Sequence, residues 1–214
     1  MPKKPSILIT GANGQLGRSI DAIAVNYPQY DLVFARREQL DLSKASNIAE
    51  YFQRNAFDVI INCAAYTAVD QAESEPDLAD TINHLAVKQL ASIARQQQTK
   101  LIHISTDYVF NGQQHRPYVE TDLVDPQSVY GASKLAGEQT VMREMATNAL
   151  IIRTSWVYSE FGNNFVKTML KLGGERDALS VIYDQIGTPT YAHDLAEALM
   201  SIVASEPFNR TSFN

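Results

Sequence analysis

A glycine-rich turn near the start of the chain reads Gly11-Ala12-Asn13-Gly14-Gln15-Leu16-Gly17. It directly follows the apolar run Ile7-Leu8-Ile9-Thr10 and opens an amphipathic stretch over residues 15–25. A strand that passes through a glycine turn into a helix is typical of a dinucleotide-binding βα unit. Gly11 is expected to permit the tight turn, Gly14 to let phosphates approach the helix N-terminus, and Gly17 to let helix and strand pack. The spacing is GxxGxxG, so a glycine-rich turn without a ligand is the alternative.

Composition limits the classes of protein that the chain can belong to. With 214 residues, 45% of them hydrophobic and 20% charged, it can bury one sizeable core. The net charge of −6 argues against nucleic acid as a partner. We expect no membrane segment, because no apolar run approaches spanning length, and no signal peptide, because the start Met1-Pro2-Lys3-Lys4-Pro5 lacks an apolar segment. The sequence predicts no metal ligands, and it leaves a metal requirement and a homodimer open.

The single cysteine, Cys63, excludes an internal disulfide and fits the reducing cytoplasm. It stands in the apolar context Ile60-Ile61-Asn62-Cys63-Ala64-Ala65. That context predicts a buried small residue rather than a reactive thiol.

Short apolar runs alternate with helical periodicity along the chain. We predict strands at Ile7–Thr10, Leu32–Ala35, Val59–Asn62, Leu101–Ser105, Ala149–Thr154 and Leu179–Ile182. We predict helices near Gln15–Val25, Lys44–Arg54, Asp77–Gln97, Val129–Met145, Phe165–Leu172 and His193–Ala204. This alternation predicts an α/β fold of the Rossmann type, a doubly wound parallel sheet with helices on both faces. The polar stretch 110–127 is predicted to be a long loop with a functional role.

The residues that follow the second and third strands point to the cofactor class. Arg36 and Arg37 stand where NAD-preferring sites usually carry an acid, and guanidinium groups suit a 2′-phosphate. We therefore favour NADP(H) over NAD(H), with solvated arginines as the alternative. After the third strand, Ala64-Ala65-Tyr66 offers small residues where a cofactor backbone can pass. Asp41-Leu42 is expected to flank the adenine.

A candidate catalytic set follows the fourth strand. This strand ends in Ser105-Thr106, and Tyr130 and Lys134 share one face of the next helix at i and i+4. An ammonium about 4 Å from the phenol is worth about 4 kcal/mol at an effective dielectric near 20, or about three pKa units. We expect this to lower the pKa of Tyr130 towards 7, so that the phenol can exchange a proton near neutral pH. Lys134 is also expected to donate to the nicotinamide ribose. A hydroxyl from Thr106 or Ser105 would hold a substrate carbonyl against Tyr130.

The chain resembles the extended short-chain dehydrogenase/reductases and, within them, the dTDP-4-dehydrorhamnose reductases. Besides the glycine turn, the matching segments read NCAAYTAVDQAE (62–73), STDYVF (105–110), VYGASKLAGE (129–138), RTSWVY (153–158) and DQIGTPT (184–190). The resemblance implies reduction of the 4-keto group of dTDP-4-dehydro-L-rhamnose, with that dTDP-sugar as substrate and NADP(H) as cofactor. Two alternatives are a non-catalytic NADP-binding subunit resembling the methionine adenosyltransferase beta subunit, and an epimerase or dehydratase. The retained catalytic residues disfavour the first, and Tyr108 in place of a glutamate disfavours the second.

The resemblance also assigns roles to residues. It implies Thr106, Tyr130 and Lys134 as the catalytic set and Thr106, Asp107 and Trp156 as contacts to the sugar nucleotide. It implies that the cofactor is lined by Gly14, Gln15, Leu16, Arg36, Asp41, Leu42, Ala65, Tyr66, Thr67, Tyr130 and Lys134. A flat indole packs well on a sugar face. A core tryptophan that caps the fifth strand is the alternative for Trp156.

Relatives in this family continue past the position at which the present sequence stops. The resemblance therefore implies an NAD(P)-binding Rossmann domain over 1–160 and a partial substrate-binding lobe over 161–214. On this interpretation we expect a complete cofactor half and weak binding of the dTDP-sugar.

Overall fold

The central sheet has five parallel strands. In the computed structural model, which describes residues 3–145, 147–181, 186–205 and 208, the strand order is β2-β1-β3-β4-β5. The strands are β1 (Ser6–Thr10), β2 (Asp31–Ala35), β3 (Val59–Asn62), β4 (Lys100–Thr106) and β5 (Ala149–Thr154). β2 and β3 flank β1 on opposite sides, so the chain changes direction across the sheet between them. Ligands of open α/β sheets bind at such a switch point, outside the carboxyl ends of the strands.

Helices cover both faces of the sheet, as a parallel sheet with apolar strands requires. The α-helices are α1 (Gln15–Ile23), α2 (Ala45–Arg54), α3 (Val69–Ala72), α4 (Pro76–Asp80), α5 (Ala86–Gln97), α6 (Val129–Glu144), α7 (Phe165–Glu175) and α8 (Ala192–Ala204). One apolar cluster joins the sheet to α2, α5 and α6, and a second joins it to α1 and α8. The predicted doubly wound α/β fold is confirmed. Within the described ranges, no helix is long and apolar enough to cross a bilayer.

The predicted strand at Leu179–Ile182 is wrong over the part that can be assessed. Residues 179–181 form no strand, and Ile182 lies outside the described residues. Leu179 and Val181 are exposed to 38% and 50%, so the run lacks the packing that stabilises a buried strand. A short parallel pair instead joins β6 (Val157–Tyr158) to β7 (Thr190–Tyr191). Two-residue strands are too short to show periodicity in a sequence.

Helix α8 lies within the segment 161–214 that the sequence assigns to the substrate lobe. Its Leu199 and Met200 are fully buried and share one apolar cluster with Ile7 of β1 and Ile20 of α1. The boundary at residue 160 therefore does not separate two cores. The reason is that the face of the sheet under α1 needs a second helix to exclude water.

A π-helical turn interrupts the predicted helix over 77–97. The turn spans Thr81–Leu85 and joins α4 to α5 in one continuous helical segment. Asn83, at its centre, is 1% exposed. Such turns are common at functional sites because they redirect one side chain out of the regular helical register.

Candidate active site

A cavity of about 720 Å³ lies at the carboxyl ends of β1, β3 and β4. This volume suits a small-molecule or cofactor site. The predicted site residues that line it are Gly11, Asn13, Gly14, Gln15, Leu16, Asp41, Leu42, Ala64, Ala65, Thr67, Thr106, Asp107, Tyr130, Lys134 and Trp156. Three predicted cofactor residues, Gly17, Arg36 and Tyr66, lie outside this lining. Most of the site residues predicted from the sequence therefore lie around one cavity.

The glycine turn has the geometry that a phosphate site requires. Gly11 has a φ of 65°, and a Cβ there would lie 2.8 Å from the backbone nitrogen of Ala64. Gly14 is the N-cap of α1, and no side chain of the described residues caps that helix start. The N-terminal N–H groups of α1 therefore face the cavity side of the turn without a capping side chain, which fits a pyrophosphate.

Gly17 has a packing role that explains its place outside the cavity. A Cβ at this position would lie 2.5 Å from the carbonyl oxygen of Gly11 and 2.7 Å from the Cα of Ala12. No side chain fits this gap, so glycine allows α1 to lie directly on the turn. This is the close helix–strand packing that the sequence predicts for the third glycine.

Arg37, rather than Arg36, lines the cavity after β2. Its Nε lies 3.5 Å from Oδ1 of Asp41, which also accepts hydrogen bonds from the backbone and hydroxyl of Ser43. Burial acts to raise the pKa of Asp41, but the bonds from Ser43 and the charge of Arg37 outweigh it and hold the pKa below its ordinary value. The backbone N–H of Arg36 bonds to Gln39, within the turn that follows the strand. Consecutive side chains in such a turn point in different directions, which is why only one arginine reaches the cavity.

The segment after β3 is held by Asn83, a residue that the sequence analysis missed. Its amide oxygen accepts from the backbone N–H of Tyr66 at 2.9 Å, and its amide nitrogen donates to Tyr66 O and to Ser133 Oγ, both at 3.0 Å. The Tyr66 hydroxyl donates to Glu75 at 2.8 Å, so its side chain turns away from the cavity. Ala64, Ala65 and Thr67 remain on the lining. No motif in the sequence indicates Asn83, because its direction depends on the π-helical turn.

Thr106 and Tyr130 meet at the end of β4. Tyr130, 8% exposed, lies in the first turn of α6, and its side chain lines the cavity together with Thr106. The Thr106 hydroxyl also contacts Asp107 Oδ1 at 3.1 Å and accepts from the backbone of Tyr108. Ser128 caps α6 by accepting from the N–H of Gly131 and so fixes where the helix begins. A hydroxyl and a phenol are thus presented together to the cavity.

The pKa of Tyr130 is shifted in the direction opposite to the sequence-based expectation. Burial raises it to about 12, the hydrogen bond with Thr106 opposes the rise, and the charge of Asp107 adds to it. Lys134 does lie one turn away on the same helix, but its Nζ donates to the carbonyl oxygen of Ile104 at 2.7 Å. The expected lowering towards 7 is therefore wrong for this structure, because burial of the phenol is the largest influence on its pKa.

Lys134 lines the cavity although its exposure is only 1%. Burial lowers its pKa to about 8, and the nearby carboxylate of Glu138 and thiol of Cys63 act in the opposite direction. Glu138 is itself buried and accepts from Arg153 through both Nε and Nη2. Cys63 also lines the cavity, and burial raises the pKa of its thiol to about 12, as expected for an unreactive small residue. A lysine with a pKa near 8 can hold or lose its charge close to physiological pH.

A further wall of the cavity comes from residues that the sequence did not predict, namely Gly162, Asn163 and Asn164. Gln15 holds this wall to the glycine turn. Its amide nitrogen donates to Val157 O at 3.2 Å, and its amide oxygen accepts from Asn164 Nδ2 at 2.9 Å. These partners lie more than 140 residues away in the chain, so no local pattern indicates them.

Comparison with known proteins identifies the family. The model of the RmlD substrate binding domain matches residues 5–212. The dTDP-4-dehydrorhamnose reductases of Aggregatibacter actinomycetemcomitans and Sinorhizobium fredii are 44% and 45% identical, each over 92% of this chain. The chain covers 66% and 65% of their lengths, about two thirds of these curated relatives.

A solved structure shows the same fold at similar sequence identity. The dTDP-4-dehydrorhamnose reductase of Bacillus anthracis, crystallised in complex with NADP, superposes with a TM-score of 0.88 and 44% identity. The match covers 95% of this chain and 72% of that one. The family model spans the glycine turn and every predicted catalytic residue. The chain therefore belongs to the RmlD substrate binding domain family.

Proposed function

We propose that this chain is an NADP(H)-dependent reductase that converts dTDP-4-dehydro-L-rhamnose to dTDP-L-rhamnose. The observation that carries the proposal is the convergence of Thr106, Tyr130 and Lys134 on the cavity that also contains the glycine turn. A glycine turn alone supports binding, whereas a proton donor beside it supports reduction. The dTDP-4-dehydrorhamnose reductases of Aggregatibacter actinomycetemcomitans and Sinorhizobium fredii, 44% and 45% identical, support the same activity.

The cofactor site is assigned to the turn after β1, the ends of β2 and β3, and the start of α6. The uncapped helix N-terminus at Gly14 suits the pyrophosphate, and Arg37 suits a 2′-phosphate. Lys134, one helical turn after Tyr130 on α6, is assigned to the nicotinamide ribose. The NADP complex of the Bacillus anthracis relative supports this choice of cofactor over NAD(H).

Bound reduced cofactor supplies the hydride, and the residues of the chain supply the proton. Thr106 and Tyr130 line the same cavity, so the carbonyl oxygen of a substrate bound between them can accept from both hydroxyls. Tyr130 keeps its proton at neutral pH because its pKa is raised, which suits a general acid. The phenolic proton passes to the developing alkoxide, and the buried ammonium of Lys134 stabilises the phenolate that remains.

The substrate side of the cavity is assigned to Asp107 and Trp156, with the segment 157–164 as its outer wall. In this proposal the cofactor domain comprises residues 1–160 together with α8, and the remaining part of 161–214 belongs to the substrate lobe. A cytoplasmic location is part of the proposal, supported by the single thiol, which suits a reducing compartment.

The test is turnover of dTDP-4-dehydro-L-rhamnose with NADPH, followed by the loss of absorbance of the reduced cofactor. Identification of dTDP-L-rhamnose as the product would support the proposal. Binding of NADPH without turnover would instead favour a non-catalytic subunit.

A further inference from the structure

Trp156 lines the substrate side of the cavity in a strained backbone conformation. Its φ is 49°, a value that bulky residues rarely adopt. Its ring contacts Phe165 edge to face, with 5.0 Å between the ring centroids. Backbone strain of this kind persists only where the surrounding structure holds it in place.

Gly187 lies directly against the indole. A Cβ at this position would be 2.6 Å from Nε1 and 2.9 Å from Cδ1 of Trp156, and 3.0 Å from Oγ of Ser155. Its φ is outside the left-handed region, so backbone conformation does not require a glycine there. The close approach of the ring is what excludes a side chain.

The two residues cannot move apart freely, because the segments that carry them are joined. Thr190 Oγ1 donates to Ser155 O at 2.8 Å, and Thr190 N donates to Trp156 O at 3.3 Å. The pairing of β6 with β7 continues this connection. A side chain added at Gly187 must therefore displace the ring itself. Gly187 lies outside the cavity lining and Trp156 within it, so the displacement is towards the cavity.

We propose that Gly187 is a positioning residue that sets the depth of the Trp156 indole and thereby the width of the site for a hexose ring. The ligand is the sugar of a nucleotide sugar, whose apolar face packs on the indole. The inference deepens the proposed function and rests on it for the identity of the ligand. The contact between the indole and Gly187 is the same whichever ligand binds in the cavity.

The first test uses fluorescence, since Trp156 is the single tryptophan of the sequence. Gly187→Ala should shift its emission and change collisional quenching by acrylamide by about twofold, because the ring is forced into a new environment. Gly173→Ala is the matched control, since a Cβ there meets nothing within 4 Å. Wild-type emission and quenching in a folded Gly187→Ala protein would overturn the proposal.

The second test measures affinity for dTDP-L-rhamnose and NADPH by calorimetry. Gly187→Ala should raise the dissociation constant of dTDP-L-rhamnose about tenfold, since an aromatic–sugar contact is lost. The dissociation constant of NADPH should stay within about twofold of the wild-type value. Equal weakening of both ligands would overturn the proposal. A wild-type protein that binds no dTDP-L-rhamnose would contradict the proposed function, and fluorescence would still decide the positioning role.

A double variant separates ring displacement from general damage. In a Trp156→Ala background the clashing atoms are gone, so Gly187→Ala should produce no further loss of dTDP-L-rhamnose affinity. A further loss in that background would overturn the proposal. If Gly187→Ala alone does not fold, recovery of folding in the double variant supports it, and failure to recover contradicts it.

Discussion

The Nζ of Lys134 donates a 2.7 Å hydrogen bond to the carbonyl oxygen of Ile104, the third-last residue of β4. This bond ties α6 to the strand whose last residue is Thr106. It therefore fixes the distance between the helix that carries Tyr130 and the strand that carries its hydroxyl partner. The lysine is buried, so its charge acts in a medium where electrostatic interactions are strong.

The pH dependence of the reaction should follow Lys134. Its pKa is lowered to about 8 by burial, so the ammonium is present below pH 8 and is lost above it. We expect kcat/KM for NADPH, which reports groups of the free enzyme, to fall about tenfold per pH unit above that value. Lys134→Met should have low activity and lack this alkaline limb. A wild-type profile that stays flat well above pH 8 would contradict the assignment.

Tyr130→Phe should lower turnover by about two orders of magnitude or more, because it removes a positioned proton donor. The dissociation constant of NADPH should change little. Steady-state kinetics and calorimetry measure the two effects separately. Tyr51→Phe is the control, since Tyr51 packs against Phe52 and Phe57 away from the cavity. Near-wild-type turnover of Tyr130→Phe would exclude the phenol as the proton donor.

Arg37→Ala should weaken the binding free energy of NADPH by about 1.5–3 kcal/mol, the value of a lost hydrogen bond to a charged group. NADH lacks the 2′-phosphate and should bind almost unchanged. Arg36→Ala is the matched control, because Arg36 lies outside the cavity lining. Titration of the three proteins with both cofactors gives the comparison. A selective loss of NADPH affinity in Arg36→Ala instead of Arg37→Ala would support Arg36, the residue assigned from the sequence, as the contact to the 2′-phosphate.

The buried pair of Glu138 and Arg153 should stabilise the fold beneath Lys134. Their side chains are 1% and 23% exposed, and the shortest contact is 2.7 Å. Arg153→Met leaves the carboxylate buried without its partner, so we expect a loss of about 3–5 kcal/mol in the free energy of unfolding. Chemical denaturation measures this value. Removing both charges together should cost less than removing the arginine alone.

An ion pair whose arginine is more exposed provides the control for this experiment. Arg116 contacts Asp122 at 2.7 Å within the long loop, and their side chains are 60% and 11% exposed. Arg116→Met should change the free energy of unfolding little, because water screens such pairs. Equal losses of unfolding free energy in Arg153→Met and Arg116→Met would show that burial of Glu138 does not raise the cost of losing its partner.

Local sequence determined the elements and most of the site. The glycine turn, the apolar strands and the i, i+4 spacing of Tyr130 and Lys134 are short-range patterns that the backbone obeys directly. Thr106, at the end of β4, and Ala65, shortly after β3, both line the cavity because all parallel strands point their carboxyl ends to one edge. The apolar run at Leu179 misled the prediction, since an apolar pattern forms a strand only where other residues cover it.

Only the tertiary structure decided the electrostatics and the long-range contacts. The sequence places Lys134 one turn from Tyr130, but burial in the tertiary structure raises the pKa of the phenol and lowers that of the lysine. The same holds for the Gln15 contact with Asn164 and the Gly187 contact with Trp156, which join segments far apart in the chain. Periodicity and spacing encode the local backbone, whereas desolvation and close approach depend on which distant segments the fold packs together.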